Sequence, residues 1–115
     1  MTFEQRQSII KKAFKRRTQT MWDKGREYSK GIKTDVNFNF KEVAKRLGLT
    51  KEQVLMVYLE KAMLSIEKWV LDGELSSGET LISRIDDASN YLSILETLSY
   101  EDKKQQNNKR KTTSI

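Results

Sequence analysis

Apolar residues recur at helical spacing along most of this chain. Projected at about 100° per residue, residues 51–72 place Trp69, Ala62, Leu55, Ile66, Leu59, Val70, Met63 and Met56 in one broad sector. Almost opposite lies a second patch, Val54, Val57, Leu64 and Tyr58, with Lys61 and Ser65 inside it. In the last periodic segment Leu81, Ile85, Ala88, Leu92 and Leu95 form a central stripe, which Ile94 and Leu98 widen to one side. The first segment has a narrower stripe, Phe3, Ile10, Phe14 and Met21, beside Ile9 and Ala13. Packing of that stripe onto the rest of the fold is expected in preference to membrane-surface binding.

Helix starts are marked by a Ser, Thr or Asn three residues before a Glu or Gln, because the two side chains cap each other's backbone N–H groups. Thr2/Gln5, Asn39/Glu42, Thr50/Gln53 and Ser76/Glu79 have this spacing, and the chain contains no proline. The pattern predicts helices over residues 3–28, 40–47, 51–72 and 77–101. The short link at 73–76 makes the last two antiparallel neighbours. The expected fold is all-α, a small helical bundle on a long antiparallel helix hairpin, with a basic N-terminal helix and a short tri-helical corner. Residues 1–101 form the expected domain, and residues 102–115, "DKKQQNNKRKTTSI", a flexible basic polar tail.

A helix apolar on two sides must be covered on two sides. One chain of 115 residues, 37% hydrophobic and 33% charged, holds too modest a core to do both. A homo-oligomer with this helix near the interface is therefore expected. The chain has no histidine and no cysteine, which removes imidazole bases, thiolate nucleophiles, disulfides and imidazole or thiolate zinc sites. No apolar run is long enough to span a bilayer and no signal segment opens the chain, so a cytoplasmic location is expected. The formal charge of +6 is uneven: residues 1–33 hold ten basic against three acidic side chains, 34–101 seven against twelve, and 102–115 five against one. The basic ends favour encounter with polyanions, including nonspecific contact with nucleic acid.

Candidate chemistry is concentrated in "SRIDDASNYLSIL", residues 83–95. Arg84, Asp87 and Tyr91 fall inside the widened apolar arc of the last helix, whereas Ser83, Asp86 and Asn90 lie nearer its solvent side. Lys61 and Ser65 stand on one side of the facing helix, within geometric reach of a Lys61–Asp87 pair. Two readings stay open at this point. The inward polar groups either form a satisfied network that fixes hairpin register, or line a ligand pocket where cations meet phosphate and tyrosine offers a stacking face. Carboxylate chemistry is less well supported. Glu60 and Glu67, like Glu79 and Asp86, stand two turns apart and do not follow the E-x-x-E plus E-x-x-D spacing of Mg²⁺-dependent all-α nucleotide pyrophosphohydrolases.

"FKEVAKRLGLTKEQVLMVYLEK" places Val43, Ala44, Leu47, Gly48, Leu49, Val54 and Val57 where a helix-turn-helix needs apolar or small residues. Its base-reading positions would include Leu55 and Met56, side chains unsuited to base edges. A packing corner is expected there in preference to a DNA reader.

Taken together, Lys24 and Tyr28, Asn39, Phe40, Ala44 and Gly48, Lys61, Ser65 and Ile66, and Arg84, Ile85, Asp87, Ala88, Asn90 and Tyr91 resemble the pattern of a group of small phage and prophage helical proteins. The likeness covers about residues 20–98. Ala62 replaces a histidine of that pattern, and Ser29 a small residue, which argues against chemistry performed by the histidine. The resemblance implies a phage-type helical protein connected with nucleotides, acting in the cytoplasm of a bacterial host. The combined expectation is a non-enzymatic oligomeric binding protein for a phosphate-bearing nucleotide, for instance one that sequesters a host defence signal, with no cofactor, no metal and no membrane partner. Its expected site residues are Lys24, Tyr28, Asn39, Lys61, Ser65, Arg84, Asp87, Asn90 and Tyr91. The alternatives are an inhibitor of a host protein or a DNA-associated regulator, and after those the carboxylate-dependent pyrophosphohydrolase.

Overall fold

The computed structural model describes residues 1–28, 35–75 and 77–113, with Tyr28 and residues 104–113 described by their backbone alone. Among the described residues the fold has four helices: α1 (Phe3–Tyr28), α2 (Phe38–Leu47), α3 (Lys51–Asp72) and α4 (Leu81–Thr113). Two of the sequence-predicted capping boxes form. Thr2 Oγ1 accepts from the Gln5 N–H at 3.1 Å while Gln5 Oε1 accepts from the Thr2 N–H at 2.7 Å. Thr50 and Gln53 repeat the arrangement at 3.1 and 2.8 Å at the start of α3. Left-handed Gly48 ends α2 and left-handed Gly73 ends α3, conformations that cost glycine little.

The other two boxes do not set their helices. Asn39 lies inside α2, whose N-cap is Asn37; the Asn37 side chain makes no cap and instead donates to Glu101 Oε1 on α4 at 3.1 Å. Ser76 lies outside the described residues, and α4 starts at Leu81, later than the expected 77. There Thr80 Oγ1 accepts from the Ser83 N–H at 3.0 Å, and Glu79 is recruited by the Ser83 hydroxyl at 2.9 Å. At its far end α4 continues through Thr113, past the boundary expected at residue 101.

Helices α3 and α4 form the long pair, and α2 crosses one end of it. Phe40 and Ala44 of α2, Val54 and Leu55 of α3 and Leu98 of α4 make the corner core, with Val43, Tyr91, Ile94 and Leu95 packed around it. A smaller cluster of Leu59, Ala62 and Ala88 closes the middle of the pair. Polar ties fasten the corner: Lys41 bridges Asp35 and Glu101, and Lys51 Nζ reaches Asp102 at 2.7 Å. The hydrogen bond to Asp102 holds the Lys51 ammonium above its ordinary pKa against the opposing effect of desolvation. Leu55, a base-reading position if this were a recognition helix, is fully buried in the core. Leu47, Leu49 and Val57 are exposed where a helix-turn-helix would bury them.

Helix α1 rests on α4 by a face different from the one its apolar stripe suggested. Ala13 is its buried residue, while Phe3 is 80%, Ile10 46% and Phe14 62% exposed. The small Ala13 lets the two helices approach, and charge sets the rotation. Arg16 Nε and Nη2 donate to Asp86 Oδ2 and Oδ1 at 2.7 and 2.8 Å, and Arg17 Nε to Oδ1 at 2.8 Å. Asp86 is thus the anchor of α1 and no solvated surface group. These hydrogen bonds, Arg16 first, hold its carboxyl below the usual range against the cost of desolvation.

Candidate functional site

The same docking of α1 opens a cleft of about 460 Å³ between the end of α1, the start of α2, and the middle of the α3/α4 pair. Its walls include Met21, Lys24 and Gly25 of α1, Val36 and Asn37 ahead of α2, Asn39, Phe40 and Val43 of α2, and Tyr58 of α3. Helix α4 contributes Asp87, Asn90, Tyr91, Ile94 and Thr97. The last helix presents these groups together because positions 87, 90, 91, 94 and 97 follow one another at steps of three and four residues.

Three rings give the cleft an aromatic wall. Tyr58 and Tyr91 are stacked, with centroids 5.9 Å apart and planes at 21°. Phe40 meets Tyr58 edge-on, also at 5.9 Å. Set among them is Asn90, only 9% exposed, whose side-chain amide makes no hydrogen bond to any described residue. The residue is buried as a whole, but its amide atoms are not sealed off and open on the cleft. Asn37, 3% exposed, differs: its amide is engaged by Glu101 and, at 3.5 Å, by Thr97.

Charge enters the cleft at one side. Lys24 Nζ stands 3.8 Å from Asp87 Oδ1, and Arg84 Nη1 lies 3.6 Å from Asp87 Oδ2 from one turn earlier on α4. Both separations are long for a hydrogen-bonded pair, so Asp87 balances two cations while binding neither tightly. The Nε of Arg84 is buried without a hydrogen-bond partner among the described residues. The expected Lys61–Asp87 pair does not form. Lys61 points to solvent on α3 with no ion pair to a described residue, because Asp87 faces α1 and takes Lys24 from there.

Of the nine sequence-predicted site residues, Lys24, Asn39, Asp87, Asn90 and Tyr91 line the cleft. Arg84 stands behind it through Asp87. Lys61 and Ser65 are not among its walls, and the side chain of Tyr28 lies outside the described residues. Asn90, expected at the solvent edge of α4, is buried because α1 and α2 cover that edge. Sequence reasoning did not single out Asn37, Phe40 and Tyr58 as site residues. The signal for the first two was the repeated Asn-Phe of "VNFNF"; Tyr58 carried only its membership of the second apolar patch of α3.

Among the described residues no three Asp, Glu, His or Cys side chains converge in a way that could hold a metal ion, and no helix is long and apolar enough to cross a membrane. No protein-family model, curated protein or solved structure matches this chain.

Proposed function

We propose that this is a non-enzymatic, oligomeric binding protein whose α1/α2/α4 cleft takes a phosphate-bearing nucleotide. The observation that carries the reading is Asn90, a residue nine-tenths buried whose amide opens on the cleft beside an aromatic wall with no hydrogen-bond partner among the described residues. An amide offers a donor and an acceptor side by side, the complement of a nucleobase edge, and the rings supply the apolar surface that a base buries. Lys24, more than half exposed and only loosely paired with Asp87, meets the phosphate at the cleft mouth. Asp87 accepts from a sugar hydroxyl and keeps Lys24 and Arg84 in place. A volume of about 460 Å³ falls within the usual range for small-molecule sites, about 300–1,000 Å³.

Binding without turnover fits the residues at hand: the chain has no histidine or cysteine, and among the described residues the cleft wall carries one carboxylate, Asp87. With the phage-like sequence pattern, sequestration of a signal nucleotide in a bacterial host is the role this reading assigns. The oligomeric part rests on the amount of apolar side chain left open on α1 and α3.

Calorimetric titration of mono-, di- and cyclic nucleotides, with and without Mg²⁺, tests the proposal. Saturable binding by at least one nucleotide, abolished in Asn90→Ala and weakened in Lys24→Ala, is the expected result. Silence from every nucleotide overturns it, and release of pyrophosphate replaces it with the enzymatic alternative.

A further inference from the structure

Asp87, the carboxylate of the cleft wall, makes no hydrogen bond to any described residue. Lys24 Nζ faces Oδ1 at 3.8 Å and Arg84 Nη1 faces Oδ2 at 3.6 Å, both too far to donate well. The two cations steady the carboxylate from different sides and leave its lone pairs open. A carboxylate only accepts, at two oxygens with about four lone-pair sites between them. Its natural complement is therefore a pair of donors set side by side. The neighbouring polar groups of the wall do not supply them: the Asn37 amide is engaged by Glu101, and the Thr97 hydroxyl donates to the Ile94 carbonyl at 2.7 Å.

Placement says which part of a nucleotide brings those donors. Asp87 lies beside Lys24, the cation assigned to phosphate. Asn90, the amide assigned to the base, stands one turn further along α4, about 4.5 Å by helix rise, and Tyr91 follows it. The sugar is the part of a nucleotide that adjoins both phosphate and base, and Asp87 adjoins the protein groups given to both. Like charge keeps the phosphate itself off the carboxylate.

We infer that Asp87 reads the 2′,3′-diol of a ribose, one hydroxyl to each oxygen, so that the cleft selects 5′-phosphorylated ribonucleotides over their deoxy counterparts. The inference rests on the nucleotide reading of the cleft and names the sugar. Hydrogen bonds to an ionised acceptor are the strong ones, and the diol makes two of them. A ligand lacking one hydroxyl leaves a carboxylate oxygen against a methylene group. Water replaces the missing donor incompletely there, because the Asp87 side chain is only 25% exposed. Discrimination of this kind, by a polar group left unpaired, exceeds what an apolar pocket achieves.

Calorimetric titration of the full chain with adenosine, guanosine, cytidine and uridine 5′-monophosphates, and with their 2′-deoxy, 3′-deoxy and 2′-O-methyl forms, tests this assignment. For the base bound best, loss of either hydroxyl should weaken binding roughly tenfold, as for a partly exposed hydrogen bond to a charged group. The 2′-O-methyl form, which keeps the oxygen without its proton, should lose at least as much. In Asp87→Ala the ratio of ribo to deoxy affinity should fall to about one. The ratio is the readout because a structural loss would weaken both ligands alike. Equal affinities in the wild type, or a preference that survives in Asp87→Ala, overturn the inference and leave the nucleotide reading standing. A preference for guanine that ignores the 2′-hydroxyl and disappears in Asp87→Ala gives the carboxylate to the base edge, and also overturns it. Silence from every nucleotide overturns the proposed function and this inference together. If Asp87→Ala unfolds by circular dichroism, the wild-type comparison of ribo, deoxy and 2′-O-methyl ligands decides alone.

Discussion

Replacing Asn90 by leucine separates a ligand-reading amide from one that holds the fold together. If Asn90 is poised for a ligand, the empty protein carries the cost of partly burying an amide that no described residue satisfies. That cost is about 1–3 kcal/mol for a fully excluded group. Asn90 faces a cleft that water can enter, which places the cost at the lower end. Leucine is close in size, has no polar atom to desolvate, and would pack against Tyr91 and Ile94. Asn90→Leu should therefore stabilise the ligand-free protein by about 1 kcal/mol, a rise in Tm of roughly 3–6 °C for a chain of this size. The same change should remove nucleotide binding. Thermal unfolding followed by circular dichroism, with and without ligand, reads both effects. A fall in Tm of comparable size would refute the reasoning, because it would mean that Asn90 contributes to folding through a partner. Stabilisation with unchanged ligand binding would place the ligand elsewhere.

Three further outcomes test how the cleft is held. Asp86→Asn should loosen α1 and lower the urea midpoint at neutral pH. Because the folded-state pKa of Asp86 is depressed, its contribution is complete above the ordinary carboxylate value of about 3.9 and is lost as pH falls through the depressed one. The gap between variant and wild type should therefore close on acidification below about pH 4, and a gap that stays constant would contradict the assignment. Leu55→Ala, at a fully buried position under the corner core, should cost about 3 kcal/mol in urea unfolding. Thr80→Ala removes the acceptor for the Ser83 N–H and should cost about 1 kcal/mol, with faster amide exchange confined to the first turn of α4.

The periodicity and capping residues of the chain determined that it forms helices, where α1 and α3 begin, and that α3 and α4 pair. These are local properties: a capping box needs only four residues, and a heptad step repeats along one helix whatever surrounds it. Cluster membership was also legible in part, because Asp87, Asn90 and Tyr91 share one side of α4 at three- and four-residue steps. The sequence did not disclose which face of α1 would be buried. Its apolar stripe was Phe3, Ile10, Phe14 and Met21 with Ile9 and Ala13 beside it; of these Met21 reaches the cleft and Ala13 is buried, while Phe3, Ile10 and Phe14 stay exposed, because the Asp86 clamp with Arg16 and Arg17 sets the contact. That choice depends on pairing between residues about seventy positions apart, to which helical periodicity is blind. Tertiary structure also took Asn37 from its local cap to Glu101, moved the partner of Asp87 from Lys61 to Lys24 and Arg84, and covered the edge of α4 that sequence alone left in solvent. Burial of Asn90 follows from these decisions, since only the joint arrival of α1 and α2 encloses an amide that α4 by itself would leave to water.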